Sequence, residues 1–350
     1  MTLTPGKPDI MDWSHAMLIG WLEDRGVRPF RADQIFNWIY LRQADSFDAM
    51  TDLRKDLRSV LAENFVLGRL EAVKSAESGD GTRKFLFRLS DGEEIESVLI
   101  PERDHFTLCV STQVGCAMGC RFCLTGSGGL VRNLSPGEIL AQVRDVQQLA
   151  GRSMRLTNIV FMGMGEPLAN YRNLKQALEI LTASKCGMQF AGRRVTVSTA
   201  GLAPRIIDLG NDTRVNLAVS LNAVDDEIRS RLMPVNRKYP ISVLLDACRR
   251  FNLPRGRRIT FEYILIDGIN DSPRHARQLA DLLAPLRAKI NLIPFNEHPA
   301  SDFRRPDQAA IDAFHELLIK RRFTCIVRYS KGRDILAACG QLRAGQARSK

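Results

Sequence analysis

Three cysteines in Cys116-Ala-Met-Gly-Cys120-Arg-Phe-Cys123 stand at a spacing that lets one short loop present three thiolates to a single metal centre. Thiolates are soft ligands of the kind iron–sulfur clusters use. Three of them can hold three irons of a [4Fe-4S] cube and leave the fourth iron open to bind and reduce something. The competing metal is zinc, but a closed structural zinc site wants a fourth Cys or His close by. The nearest in sequence are His105 and Cys109, so on the residues alone the zinc reading stays open.

Other residues have types suited to a ligand. In Gly163-Met164-Gly165-Glu166-Pro167 the glycines let the backbone approach a bound group, and the Glu166 carboxylate can take an amine. Ser198, Ser220-Leu221-Asn222 and Asn296 offer small hydroxyls and amides suited to a ribose and a carboxylate, although turn chemistry accounts for such residues as often. Glu96 taken alone reads as a solvent-facing strand carboxylate. Cys248 and Cys325 read as small core residues, and Cys186 has no evident role. His15 and His315 fall in helical stretches as structural or solvated residues, while His298, close to Asn296, could face a site.

The elements that must carry these residues follow from apolar periodicity. A period near 3.6 over 16–22, 32–40 and 53–61 predicts a small helical N-terminal unit. Alternating runs at 71–73, 84–89 and 94–100 predict antiparallel strands, with Asp91-Gly92 as a hairpin turn. From Thr107 onward strand and helix alternate. Strands are expected at 108–112, 158–162, 194–197, 215–220, 259–266, 289–293 and 324–328, and helices at 136–149, 173–184, 240–250, 272–283 and 307–320. Parallel strands separated by amphipathic helices make βα units, so the fold class is α/β, a partial (βα)6-type barrel with its chemistry at the C-terminal strand ends. The expected organisation is 1–66 as a helical accessory unit, 67–106 as a β extension, 107–330 as the barrel and 331–350 as a C-terminal segment carrying Cys339, with a flexible tail.

With 350 residues and 45% of them hydrophobic, the chain can bury a large core, which excludes disorder and a disulfide-stapled miniprotein. No apolar run reaches membrane-spanning length and the start lacks signal-peptide character, so the expected location is the cytoplasm, without membrane contact. A net charge of +11 favours a polyanionic partner such as RNA. The surplus is concentrated in Arg193-Arg194, Arg249-Arg250, Arg255 with Arg257-Arg258, Arg304-Arg305 and Lys320-Arg321-Arg322.

Cys-x3-Cys-x2-Cys in a βα barrel resembles the radical S-adenosylmethionine (SAM) superfamily, and residues 163–167 resemble its GGEP element. That resemblance implies one [4Fe-4S] cluster on Cys116, Cys120 and Cys123, whose open iron is chelated by SAM, and reductive cleavage of SAM to a 5′-deoxyadenosyl radical. Ala337-Ala338-Cys339-Gly340-Gln341-Leu342 and Cys109-Val-Ser-Thr-Gln-Val-Gly-Cys116 are similar to the radical SAM RNA methyltransferases that act on C2 of adenine in 23S ribosomal RNA and certain tRNAs. Phe30-Arg31-Ala32-Asp33-Gln34-Ile35, Arg132-Asn133-Leu134 and Asn291-Leu292-Ile293-Pro294-Phe295-Asn296 extend the likeness from about residue 30 to residue 342.

The resemblance implies roles. Adenine C2 is electron-poor and cannot attack a methyl sulfonium, so a carbon radical must add to it. Cys339 would take a methyl group from one SAM as S-methylcysteine, and a second SAM would supply the radical that activates it. Glu96 is the matching proton acceptor, and Cys109 matches the thiol that closes a transient disulfide with Cys339. Gly165, Glu166, Ser198, Ser220, Leu221, Asn222 and Asn296 match the SAM-binding positions. The implied substrates are an adenosine of the 23S peptidyl transferase centre and an adenosine adjacent to the tRNA anticodon, with an external one-electron reductant such as flavodoxin and a monomeric enzyme.

Two positions depart from the family pattern: Lys331 stands where Arg is common, and Leu336 where an acid is frequent. Three rival readings remain. They are methylation at C8 by the antibiotic-resistance relatives, a glycyl-radical activase that would not need Cys109 and Cys339, and a metal-stabilised RNA-binding module without enzymatic activity.

Overall fold

Ser14 accepts a hydrogen bond from the Met17 amide, and behind this N-cap helix α1 (His15–Glu23) begins. The computed structural model describes residues 6–151, 154–298 and 300–342; the start of the chain and the tail expected to be flexible beyond 342 lie outside them. Helices α2 (Phe30–Tyr40) and α3 (Lys55–Asn64) follow, and the three turn Leu18, Leu22, Ile35, Phe36, Leu57 and Leu61 inward. Phe65 meets Trp13 and Trp21 edge-on at 4.9 Å each, which fastens the chain after α3 to the chain before α1.

Strands β1 (Glu71–Glu77), β2 (Arg83–Arg88) and β3 (Glu94–Pro101) form an antiparallel meander. The expected Asp91-Gly92 turn joins the last two, with Gly92 at φ +86° and Asp91 accepting from the Glu93 amide. The β extension does not form a sheet of its own. Strand β3 pairs antiparallel with β4 (Phe106–Cys109), so the meander is the edge of the barrel sheet.

A two-stranded ribbon, β5 (Gln113–Gly115) with β6 (Leu130–Asn133), brackets the short helix α4 (Leu124–Ser127). Then βα units follow in sequence: α5 (Pro136–Ala150), β7 (Leu156–Phe161), α6 (Tyr171–Thr182), β8 (Val195–Thr199), α7 (Ala203–Asp212) and β9 (Asn216–Ser220). Helices α8 (Asp226–Leu232) and α9 (Ile241–Arg250), strand β10 (Ile259–Leu265), α10 (Pro273–Leu283), β11 (Ala288–Pro294), α11 (Gln308–Lys320) and β12 (Cys325–Val327) follow, and the segment carrying Cys339 comes after β12. Residue chemistry sets the starts: Ser135 and Glu138 form a reciprocal capping box on α5 with Pro136 at its first position, and Asp225, Ser272 and Asp307 cap α8, α10 and α11.

The sheet runs β1-β2-β3-β4-β7-β8-β9-β10-β11-β12, parallel from β4 onward. Among the described residues no pairing joins β12 back to β1, so the barrel is partial, as expected. One face of its strands is apolar, Leu217, Val219, Phe261, Tyr263, Ile290 and Leu292 being fully buried, while the alternate positions include Ser198, Ser220, Glu262 and Asn291. The helical unit docks on the barrel helices: the Gly137 amide donates to Asp12 Oδ1 at 2.8 Å and Gln176 Nε2 to the Asp12 carbonyl at 2.8 Å. Among the described residues no helix is long and apolar enough to cross a membrane.

Candidate active site

Gly115 leaves β5 with φ at +75°, and a Cβ there would sit 2.1 Å from the Gly129 carbonyl oxygen. Only glycine fits, and the resulting turn lets the Cys116 amide donate to that same oxygen at 2.7 Å. The loop then closes on itself, Cys123 donating its amide to the Cys120 carbonyl at 3.1 Å. Cys116 is buried, while Cys120 and Cys123 are half-buried. Burial pushes the Cys116 thiol up to about 12 and raises Cys120 as well, with the neighbouring Cys123 adding to both. Without a cation such thiols stay protonated at neutral pH; a bound iron centre is the kind of charge that ionises them.

The donor set fits a cube better than a single ion. Three thiolates are the donor set of a cube with one iron left open, whereas a closed structural zinc site takes four protein ligands.

The C-terminal segment closes over this loop. The Leu124 amide donates to the Gly340 carbonyl at 2.7 Å, and Thr125 Oγ1 donates to the Leu342 carbonyl at 2.6 Å. Asn296 Nδ2 donates to Ser330 Oγ at 2.9 Å and to the Cys339 carbonyl at 3.3 Å. His298 is buried with Nε2 3.4 Å from the Phe122 carbonyl, so it backs the loop from behind. Cys339 thereby lines the same cavity as the three thiols. It is open to solvent through the mouth yet ringed by protein, which pushes its thiol up to about 11; Glu262 adds to this and Arg328 opposes it.

The cavity has an empty volume of about 790 Å³ including its mouth. Gly165, Glu166, Ser198, Ser220 and Asn222 border it at the strand ends, opposite Cys116, Cys120 and Cys123. Gly165 has φ at +101°, and a Cβ would fall 2.5 Å from Gln113 Cβ. Glu166 is buried; its carboxylate accepts from the Leu168 amide at 3.0 Å and the Ala200 amide at 2.7 Å. Burial still wins over these bonds and pushes the group up to about 7. Asn222 holds a left-handed backbone, φ +58°, and accepts from the Ile264 amide at 2.9 Å.

Four sequence-predicted residues lie outside the lining. The Leu221 side chain is in the apolar core, and its amide donates to the Glu262 carbonyl at 3.0 Å. Asn296 reaches the site only through its side-chain amide, bonded to the Cys339 carbonyl. Cys109 ends β4 in the core, its thiol raised by burial and then by the charge of Cys339. Glu96 is buried on β3, where Ser111 Oγ donates to its carbonyl at 2.6 Å.

Two residues of the site carry no motif. Arg229 on α8 is completely buried and donates to the carbonyls of Leu221, Ala200 and Ser220 and to Asn236 Oδ1, all at 2.7 to 3.1 Å. Burial pulls it down to about 10, and the Cys120 charge acts in the other direction. Glu262, an acid within the apolar strand β10, lines the cavity with Ser198 Oγ 3.5 Å away, and burial raises it. The one available signal for Glu262 was that break in an apolar run.

Residues 110–280 match the family model described as the radical SAM superfamily, and residues 8–67 match that of the ribosomal RNA large subunit methyltransferase N-terminal domain. The dual-specificity RNA methyltransferase RlmN of Desulfosudis oleivorans is 55% identical over 98% of this chain and 93% of its own. The chain belongs to the RlmN family. The relative of the same name from Geobacter sulfurreducens is 55% identical over 96% of this chain and 92% of its own. The solved radical SAM methyltransferase from Sphaerobacter thermophilus superposes with a TM-score of 0.90 at 49% identity, covering 96% of this chain and 99% of that one. RlmN-family membership brings with it the [4Fe-4S] cluster and SAM, which the three-thiol loop and the strand-end cavity suit.

Proposed function

We propose that the protein is a dual-specificity RNA methyltransferase that methylates C2 of adenosine in 23S ribosomal RNA and in tRNA. The observation that carries this reading is Cys339 lining one cavity with the three-thiol loop, its segment hydrogen-bonded to that loop through Gly340 and Leu342. A glycyl-radical activase would have no use for that thiol.

Cys116, Cys120 and Cys123 would hold the cluster, and Gly165, Glu166, Ser198, Ser220, Leu221, Asn222 and Asn296 form the SAM side, Leu221 through its backbone and Asn296 through Cys339. When bound, the cluster and SAM supply a methyl group and the hydrogen-abstracting chemistry that activates it. Cys339 takes the methyl group on sulfur after losing its proton, which the nearby Arg328 favours. Once the activated methylene carbon on Cys339 has bonded to adenine C2, Glu96, held by Lys84, accepts the C2 proton, and the odd electron would return to the oxidised cluster. Cys109, as thiolate, then attacks the Cys339 sulfur; the bond from that sulfur to the methylene carbon breaks, the carbon takes a proton to become the methyl group of the released base, and cellular thiols reopen the disulfide. The closed, apolar setting of Cys109 protects it from other oxidants until Cys339 is modified.

The division into 1–66, 67–106, 107–330 and 331–350, a monomeric state and a flavodoxin-like electron donor belong to the same proposal. The RNA grip is assigned to the helical unit, where Arg25, Arg28, Arg31 and Arg54 surround one cavity with the half-exposed Phe30. Arg25 lies over Trp21 at 4.0 Å and Arg31 over Phe30 at 4.8 Å, an aromatic and cationic surface suited to bases and phosphates.

The deciding experiment loads the cluster anaerobically, adds SAM, reductant and RNA, and follows methyl-Cys339, 5′-deoxyadenosine and the modified base by mass spectrometry. C2-methyladenosine that vanishes in Cys339→Ala is the expected result. Methylation at C8, or RNA methylation by Cys339→Ala, would overturn the reading.

A further inference from the structure

Outside the cavity, His15, Asp33 and Cys186 bring a ring nitrogen, a carboxylate oxygen and a sulfur all within 4.8 Å of one another. They come from three places: the first residue of α1, the first turn of α2, and the turn between α6 and β8. His15 Nε2 stands 2.7 Å from Asp33 Oδ1, and the Cys186 thiol is hydrogen-bonded to the same carboxylate. The imidazole is fixed edge-on against Phe36, 5.1 Å between centroids. All three residues are half-buried, so water reaches them while their neighbours restrict them. None has a part in the chemistry above.

We propose that His15, Asp33 and Cys186 bind one zinc ion, with water as the fourth ligand, and so tie the N-terminal helical unit to the barrel. A nitrogen, an oxygen and a sulfur together exclude magnesium and calcium, which take oxygen, and suit borderline zinc. Tetrahedral zinc holds such atoms roughly 3.3 to 3.7 Å apart. The His15–Asp33 contact must therefore lengthen by under an ångström, and side chains that are 33% and 48% exposed have that freedom. The charges balance: the ion displaces the thiol proton to water, and thiolate and carboxylate together neutralise it.

The location gives the ion a consequence. His15 and Asp33 belong to the helical unit that we assign to RNA, and Cys186 follows the helix that already receives it, where Gln176 bonds to Asp12. The ion would close the same seam with coordinate bonds, fixing the basic surface relative to the cavity. The cation site itself does not depend on the RNA assignment.

The test uses the full chain carrying its iron–sulfur cluster, equilibrated with zinc chloride against a competing chelator, with zinc and iron counted per chain. One zinc beyond the cluster iron is expected, and X-ray absorption at the zinc edge should show a single sulfur ligand with the rest nitrogen and oxygen. Cys186→Ser, His15→Gln and Asp33→Asn should each weaken zinc at least tenfold with iron and cluster absorbance unchanged, the usual scale for losing one ligand or more. Wild type that takes up no zinc against the chelator, zinc retained at full affinity in the variants, or zinc without sulfur would overturn the proposal. Zinc that appears only as iron is lost belongs to the cluster loop and would overturn it too.

Discussion

Lys84 Nζ stands 2.9 Å from Glu96 Oε1 and also donates to the Leu336 carbonyl at 3.2 Å, so one ammonium joins the proposed proton acceptor to the segment that carries Cys339. Both side chains are largely buried, 17% and 6% exposed. Breaking one partner of a buried pair costs up to about 3 to 5 kcal/mol. Lys84→Met should therefore lower the unfolding midpoint markedly, and adding Glu96→Gln to it should recover part of the loss. Activity should behave differently. Glu96→Gln alone and the double variant should both form methyl-Cys339 normally and lose about 10²-fold or more in RNA methylation. If the double variant regained turnover, Glu96 would not be the proton acceptor.

The cysteines and the Gly-rich turn were legible in the sequence because covalent and ligand chemistry demands those residue types at fixed spacings. Strand positions were legible because apolar residues recur at every second position in β8 to β11, between amphipathic helices. The β5–β6 ribbon was not, since its strands have only three and four residues and its register shifts at Gly115. Arg229 was silent for a different reason: its partners are carbonyls that become neighbours only when β8, β9 and α8 have packed. Leu221 reads as a site residue from its place in Ser220-Leu221-Asn222, but strand alternation sends its side chain to the core.

Arg229 offers its own test. It is completely buried and satisfies three strand-end carbonyls beneath Cys120. Arg229→Met strips those carbonyls of donors and removes the cation that favours the Cys120 thiolate. Expected are a stability loss of about 3 kcal/mol or more and a cluster that bleaches faster under chelator. Arg229→Lys, with a point charge in place of the planar fork, should fall between the two in both measurements. Cluster lifetime equal to wild type in Arg229→Met would show that the residue serves the fold alone.

Glu166 gives a pH dependence with a definite sign. Burial holds the carboxyl at about 7, above its ordinary 4.5, so between those values the folded chain binds a proton that the unfolded chain does not. Its contribution to stability therefore falls as pH rises across that window and is flat above it. Ligand affinity should move the opposite way, because the proposed contact to a SAM amine needs the ionised carboxylate. In calorimetric titrations of cluster-loaded enzyme, Kd should worsen by up to roughly tenfold per unit below pH 7 and level off above it. Glu166→Ala should abolish that dependence and weaken binding by about 10- to 100-fold, the worth of a charge-assisted hydrogen bond. A wild-type Kd indifferent to pH would assign the amine to another group.

RNA affinity should depend on the helical unit in a salt-dependent manner. Arg28 and Arg31 border the same cavity as Phe30, and neither lines the catalytic cavity. Arg28→Ala and Arg31→Ala should each reduce the slope of log affinity against log salt by about 0.7 to 0.9 for every phosphate that the guanidinium neutralised. Phe30→Ala should leave the slope intact while weakening binding by about 1 to 3 kcal/mol if a base stacks on the ring. Unchanged slopes in both arginine variants would move the grip to the arginines at the far end of the barrel, where Arg257, Arg258, Arg287, Arg321 and Arg322 surround another cavity.

Cys109 and Cys339 separate the methyl transfer from the release of product. The Cys109 thiol is raised by burial and then by the charge of Cys339, so the two groups sense one another while both remain free. The first of the two steps needs only Cys339, and the second needs a thiol to displace the base from its sulfur. Cys109→Ala should therefore still acquire methyl-Cys339 and still react once with RNA, then stall with the RNA attached to the protein. Such an adduct carries a thioether in place of a disulfide, so it should survive reducing agent on a denaturing gel and disappear in Cys109→Ala/Cys339→Ala. Multiple turnovers by Cys109→Ala at the wild-type rate would mean that the base leaves without help from this thiol, and the buried position of Cys109 would then be structural.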